Sequence, residues 1–208
     1  YLFDPPAAQA AFRAAARIAH AAGRKVAITL SDAFCVERHR AAFRELVAGH
    51  VDVLFANSDE ITALYEVADV TTAVPYLLDD CELATVTQSE KGALVVHRGE
   101  VSTVPAVTVQ RVVDTTGAGD QFAAGFLAGH VAWLEPVVAA SVGCVAAAEV
   151  SMQNETLYLN AKDGFAGTGL KREGEPICKC SPLDDVIFFT KDGTMSVTKA
   201  GEKFFVGK

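Results

Sequence analysis

The residues of this chain best suited to chemistry are Asp114-Thr115-Thr116-Gly117-Ala118-Gly119-Asp120-Gln121. They follow an extended β-branched stretch, Val107 to Val113, and open an apolar run, Phe122 to Ala128, that reads as a buried helix. A small-residue turn at a helix start leaves backbone N–H groups free and backed by the positive end of the helix dipole. An anion placed there is bound by the backbone. Asp120 adds a carboxylate in the first helical turn. Free amides beside a carboxylate suit phosphoryl transfer: the amides hold the transferring phosphate, and the carboxylate takes a proton from the attacking hydroxyl. The plain alternative is a strand-to-helix turn capped by an Asp.

Such a corner needs elements to hold it. Residues 1–150 alternate helix and strand. Pro5-Pro6 starts a helix whose stripe is Ala8, Ala11, Phe12, Ala15, Ile18 and Ala19, and Gly23 stops it. Lys25–Leu30 reads as a strand and Cys35–Ala48 as a helix. Val51–Ala56 is a continuous apolar run, the pattern of a strand covered on both faces. Asn57 or Ser58 caps a helix carrying Ile61, Leu64 and Tyr65, and Thr71–Leu78 is another short helix. Leu83–Thr87 and Ala93–His97 are strands joined onward by the turn 97–100; helices follow at Ala118–His130 and from Glu135 to Glu149. This alternation predicts a doubly wound α/β sheet.

Residues 151–208 differ. They carry short strands at Thr156–Asn160, Phe165–Leu170, Pro176–Cys180, Asp185–Thr190 and Thr194–Thr198. Leu157-Tyr158-Leu159-Asn160-Ala161-Lys162-Asp163-Gly164 is echoed by Ile187-Phe188-Phe189-Thr190-Lys191-Asp192-Gly193. Asp-Gly between strands signals a hairpin, and repetition about 30 residues apart suggests a radial all-β repeat. Residue choice also switches. Before the break Arg dominates the basic residues and Ala is frequent; after it Lys dominates and Ala occurs only at 161, 166 and 200. Basic counts of 10 and 8 against acidic counts of 18 and 8 put the whole net charge of −8 in the first segment. Two segments of different origin, joined near residues 150–155, are expected.

Composition narrows the classes. A chain of 208 residues, half of them hydrophobic, can bury a sizeable core. No apolar run reaches the ~20 residues of a membrane span. The chain begins at Tyr1 and its first Met is Met152, so it reads as a piece of something longer. Its net charge of −8 argues against a nucleic-acid binder as a whole. The cysteines, 35, 81, 144, 178 and 180, are scattered and odd in number. Cys178-Lys179-Cys180 lacks the usual metal-site spacing, and alternation puts both thiols on one strand face. A reduced, cytoplasmic protein is the simplest reading.

The string D-T-T-G-A-G-D followed by Q-F-x-x-G-F resembles the C-terminal signature of the PfkB (ribokinase-like) family of sugar and nucleoside kinases. Three further stretches match. Asn57-Ser58-Asp59-Glu60 resembles the family's N-x-x-E motif, associated with Mg²⁺ and phosphate. A carboxylate there can hold the metal directly or through its waters. Thr87-Gln88-Ser89-Glu90-Lys91-Gly92 resembles the nucleotide-contacting T-x-G-x-x-G turn, with Ser89 where the pattern has Gly. Gly permits backbone conformations that Ser resists. Ser31–Arg40 resembles a stretch of adenosine-kinase-like members, with a helix cap as the plain alternative. His20, His39, His50, His97 and His130 have no evident ligand partners and read as surface or packing residues.

The resemblance implies a ribokinase-like sheet over residues 1–150 lacking its N-terminal half, which holds the lid and most substrate contacts. It implies Asp120 as catalytic base and Gly117, Ala118 and Gly119 as the anion hole. Thr87, Ser89 and Gly92 would contact ATP. Asn57 and Glu60 would reach Mg²⁺, and Asp114 and Thr115 would lie near a monovalent cation such as K⁺. The acceptor would be a hydroxymethyl group of a sugar or nucleoside, and the isolated chain, without its substrate half, would be inactive. Residues 155–208 (T-L-Y-L-N-x-K-D-G-F, D-D-V-I-F-F-T-K-D-G-T-M, K-F-F-V-G-K) resemble the C-terminal β-pinwheel of the bacterial type IIA topoisomerases, gyrase and topoisomerase IV. That implies a partial pinwheel with weak DNA contact through Lys162, Lys171, Arg172, Lys191 and Lys199. Solvated lysines on hairpin turns are the plain alternative. The competing readings are thus a kinase half, a DNA-binding fragment, and an inactive fusion of the two.

Overall fold

A computed structural model of the chain describes residues 3–109, 115–151, 155–180, 184–190 and 193–207. The chain divides into two compact units, one of Tyr1–Thr108 with Gly119–Ala147 and the other of Val109–Ala118 with Ala148–Lys208.

The first unit contains α1 (Pro6–Ala21), β1 (Ala27–Thr29), α2 (Ala33–Arg38), α3 (Arg40–His50), β2 (Val53–Asn57), α4 (Ser58–Tyr65) and α5 (Val70–Asp80). These are followed by β3 (Leu83–Thr87), β4 (Ala93–His97), β5 (Glu100–Val104) and all but one end of α6 (Ala118–Val131) and α7 (Pro136–Ser151), with Ala118 and residues 148–151 falling in the second unit. The strands form one sheet in the order β1-β2-β3-β4-β5. β1, β2 and β3 run parallel, while β3–β4 and β4–β5 pair antiparallel. Helices cover both faces, as expected of a doubly wound sheet, but the sheet is mixed because hairpins replace crossovers after β3.

Alternation along the central strands sorts the core. Leu54, Ala56, Ala84, Val86, Leu94 and Val96 face the cluster built on α2 to α5. Val53, Phe55, Leu83, Val95 and Val104 face α6 and α7. On that side Phe126 is fully buried, its ring 5.4 Å from that of Phe55 in an edge-on arrangement. α6 and α7 approach closely through glycines. A Cβ at Gly125 would lie 2.9 Å from the Val142 carbonyl oxygen, and one at Gly143 would lie 2.7 Å from that of Phe122. The Gly of Q-F-x-x-G-F is therefore a packing residue.

Two expectations about this unit are corrected. The helix predicted over Cys35–Ala48 is two helices, α2 and α3, divided at His39, whose backbone has φ −120° and ψ 25°. The His39 ring lies 2.8 Å from Asp4 Oδ1 and packs edge-on against Phe3, so a distant segment holds the residue at the break. The extended stretch predicted over 107–113 is not a strand where it is described. Residues 105–109 have no regular structure, and 110–113 lie outside the described residues. β4 pairs with β5, which is reached through Arg98 and Gly99 at φ 49° and 82°. A two-residue loop with both φ positive matches the strand twist and closes the hairpin at once.

The second unit contains β6 (Glu155–Asn160), β7 (Phe165–Gly167), β8 (Glu175–Cys180), β9 (Asp185–Phe189), β10 (Met195–Lys199) and β11 (Phe204–Phe205). β11-β7-β6-β8 form one antiparallel sheet, and β9 and β10 form a separate hairpin. Both repeated turns close on a glycine in the left-handed region, Gly164 at φ 77° and Gly193 at φ 85°. Asn160 Oδ1 accepts from the Asp163 N–H at 3.1 Å, which tightens the first turn. The strand expected over Phe165–Leu170 stops at Gly167, where a Cβ would meet the Glu202 carbonyl oxygen at 2.2 Å.

Candidate functional site

β2 ends at Asn57, whose register partner in β3 is Thr87. Asn57 then caps α4 with a complete capping box. Its Oδ1 accepts from the Glu60 N–H at 2.9 Å, and its own N–H donates to Glu60 Oε2 at 3.0 Å. Its Nδ2 donates to Glu60 Oε1 at 2.9 Å. Two donors at the head of the helix are thereby satisfied reciprocally. Glu60 is 5 % exposed, and among the described residues no cation pairs with it. Burial pushes its carboxyl above the ordinary range. The Asn57 N–H opposes that push, and the Asp32 and Asp59 carboxylates reinforce it.

That shift has a definite sign. A carboxyl whose folded pKa is raised favours the folded state in its protonated form, and the contribution is lost as pH rises through the folded pKa. Glu60→Gln should therefore gain stability relative to wild type as pH goes from about 4 to about 7. Paired urea titrations across that range read the difference. A difference that stays constant with pH would exclude the assignment.

Thr87 leads into the β3–β4 connection. The Ser58 hydroxyl donates to the Thr87 carbonyl at 3.4 Å, and the Thr87 hydroxyl donates to the Ala56 carbonyl at 3.5 Å. Asn57, Glu60 and Thr87 are thus brought together at the carboxyl ends of β2 and β3, where open α/β sheets bind ligands. Ser89, the departure from the Gly-containing pattern, adopts φ 52° within the short 3-10 turn Ser89–Lys91. It takes the left-handed conformation that glycine would enter at lower cost. Gly92 closes the turn at φ 90°: the Gln88 N–H donates to the Gly92 carbonyl at 2.7 Å, and the Gly92 N–H donates to the Ser89 carbonyl at 3.1 Å.

Gly119 and Asp120 belong to the first unit, and Thr115, Gly117 and Ala118 to the second. In the turn before α6 the Ala118 N–H donates to the Thr115 carbonyl at 3.0 Å, and Gly117 has φ 78°. The Ala118 amide is therefore engaged, which narrows the expected anion hole to its neighbours. A Cβ at Gly117 or Gly119 would meet nothing within 4 Å, and both residues are exposed. Asp120 is exposed in the first turn of α6. Asp114 lies outside the described residues.

Other residues singled out from the sequence have structural partners. Asp32 caps α2, accepting from the N–H groups of Phe34 at 2.6 Å and Cys35 at 3.1 Å. His20 Nε2 lies 2.8 Å from Asp52 Oδ2, so His20 and His39 both meet carboxylates that sequence spacing did not reveal. Among the described residues no three His, Cys, Asp or Glu side chains gather as a metal cage. Mg²⁺ retains several waters and commonly takes only one or two carboxylates plus phosphate oxygens. The buried Glu60, with no cation paired to it among the described residues, fits a metal held in that way through its waters. In the β unit, Lys162, Lys171 and Arg172 are exposed, Lys199 pairs with Asp185 at 3.0 Å, and Lys191 lies outside the described residues.

Residues 2–160 match the pfkB family carbohydrate kinases, and the chain belongs to that family. It is 34 % identical over 113 residues to a cytidine kinase of Thermococcus kodakarensis, a match covering 52 % of this chain and 40 % of the relative. Among solved structures it is similar to adenosine kinase from Sinorhizobium meliloti, with 51 % identity and a TM-score of 0.70 over 73 % of this chain and 46 % of that one. A probable sugar kinase from Rhizobium etli CFN 42 follows at 45 % identity and a TM-score of 0.69, with the same coverage of 73 % and 46 %. The chain thus spans under half the length of these relatives.

Proposed function

We propose that this chain carries the nucleotide-binding and catalytic-base side of an adenosine-kinase-like enzyme. The whole protein would transfer a phosphoryl group from ATP to a hydroxymethyl group of a nucleoside or sugar. The observation that supports this reading most is the open backbone at Gly119, with Asp120 beside it in the first turn of the same helix, in a chain of the pfkB family. The 51 % identity to an adenosine kinase favours a nucleoside acceptor. A further relative at 26 % identity, aminoimidazole riboside kinase from Salmonella enterica, was solved with its riboside and an ATP analog.

In this reading the amides around Gly117 and Gly119 hold phosphate oxygens, and the α6 dipole adds to that hold. Asp120 accepts the proton of the acceptor hydroxyl as it attacks. Asn57 and Glu60 would hold Mg²⁺ through its waters, and Thr87, Ser89 and Gly92 would contact the nucleotide. Asp114 and Thr115 would serve a monovalent cation, K⁺ by the family resemblance. Bound ATP with Mg²⁺ supplies the phosphoryl group and the divalent charge that offsets its oxygens.

Calorimetry with ATP and Mg²⁺ on wild type and Gly119→Val tests this. A Cβ at Gly119 meets no protein atom within 4 Å, so the variant should fold normally. Its affinity should drop at least about tenfold, because the branched side chain occupies the space the phosphates need. Equal affinities, or no binding by wild type, would refute the assignment.

A further inference from the structure

Strand β8 ends on two thiols, Cys178 and Cys180. Alternation places both side chains on one strand face. Their register partners in β6 are Leu157 and Glu155. Lys179 points away: its Nζ donates to the Thr156 hydroxyl at 2.8 Å. Both cysteines line a cavity of about 390 Å³ within the second unit, whose wall joins Leu157, Val186 and Phe188 to the polar residues Lys179, Asp184 and Asp185. Cys178 is exposed and Cys180 is buried, and both are free thiols. One sulfur is therefore open to incoming solute while the other is screened from water. Burial raises the Cys180 thiol, and Cys178, Asp184 and Glu155 add to that effect.

This arrangement selects a ligand class. A closed zinc site needs four donors, and among the described residues no three His, Cys, Asp or Glu side chains converge. Two thiolates satisfy a soft ion that accepts two ligands, and thiolates select Cu(I) over harder cations. We propose that Cys178 and Cys180 form a two-thiolate binding site for a soft, two-coordinate cation of the Cu(I) type. Each S–H bond is replaced by a Cu–S bond, and both protons leave to solvent. No electron is transferred. The site does not rest on the kinase reading, since both cysteines lie in the second unit and outside the family match.

The test is a Cu(I) titration of the full chain, anaerobic and free of added thiols, in competition with a chromophoric Cu(I) chelator. Wild type should take one Cu(I) per chain, and Cys178→Ser and Cys180→Ser should each weaken binding at least about tenfold. Because two protons are displaced, affinity should fall by about a hundredfold per pH unit on the acid side of the thiol pKa values. Cys178 is exposed, so its Ser variant should keep the wild-type unfolding curve and decides the matter even if Cys180→Ser fails to fold. Failure of wild type to compete, wild-type affinity in Cys178→Ser, or binding insensitive to pH would each overturn the site.

Discussion

Gly92→Ala should destabilise the protein by about 3 kcal/mol or more, the combined effect of backbone strain and overpacking. At φ 90° an L-residue is strained, and the added Cβ would stand 2.0 Å from the Val104 carbonyl oxygen and 2.5 Å from the Ala106 amide nitrogen. Those are backbone atoms, so relief requires β4 and the chain after β5 to separate. Gly99→Ala is the matched control: its φ is 82°, yet its Cβ would meet nothing within 4 Å. It should lose only about 1 kcal/mol, the cost of the left-handed conformation. Denaturant unfolding of the two variants compares them directly, and equal losses would rule out the close approach at Gly92 as the cause. The same connection carries Thr87 and Ser89, so Gly92→Ala should also weaken ATP binding if those residues line the nucleotide.

Phe126→Ala should cost about 3–5 kcal/mol, the usual range for truncating a fully buried ring. Phe126 is 0 % exposed, 5.4 Å from the Phe55 ring and 5.8 Å from the His130 ring. Its loss weakens the packing, shared with Phe122, that ties α6 and with it Asp120 to the sheet. Phe34 is 74 % exposed, and Phe34→Ala should stay within about 0.5 kcal/mol. Thermal unfolding separates the two, and a Phe126→Ala variant as stable as Phe34→Ala would remove the physical basis for α6 as a rigid support.

Several parts of the site were legible in the residues. The Asn57–Glu60 spacing predicted a cap, and the cap forms because its partners are three residues apart and share one turn. β2 lies close to the continuous apolar run Val51–Ala56, since burial on both faces leaves no room for alternation, and β3 and β4 coincide with the predicted strands Leu83–Thr87 and Ala93–His97. The Asp-Gly turns and the glycine-rich start of α6 were likewise local signals. Ser89 was a partial miss: its residue type argued against the left-handed conformation it adopts, and the closure of the β3–β4 turn decides otherwise.

What escaped the sequence depended on partners far along the chain. The break at His39 is set by Asp4, 35 residues away. Strand β5 forms because the tight turn at Arg98-Gly99 brings Glu100–Val104 back against β4, a pairing that no local signal announces. The burial of Glu60, and the presence of the Asp32 carboxylate near it, exist only once α2 and α4 pack together. Family signature, most elements and the local caps were readable from residue type and contacts within about one helical turn. The tertiary structure alone decided strand pairing, helix breaks and the environment of each carboxylate, because those depend on which surfaces meet after the chain has closed.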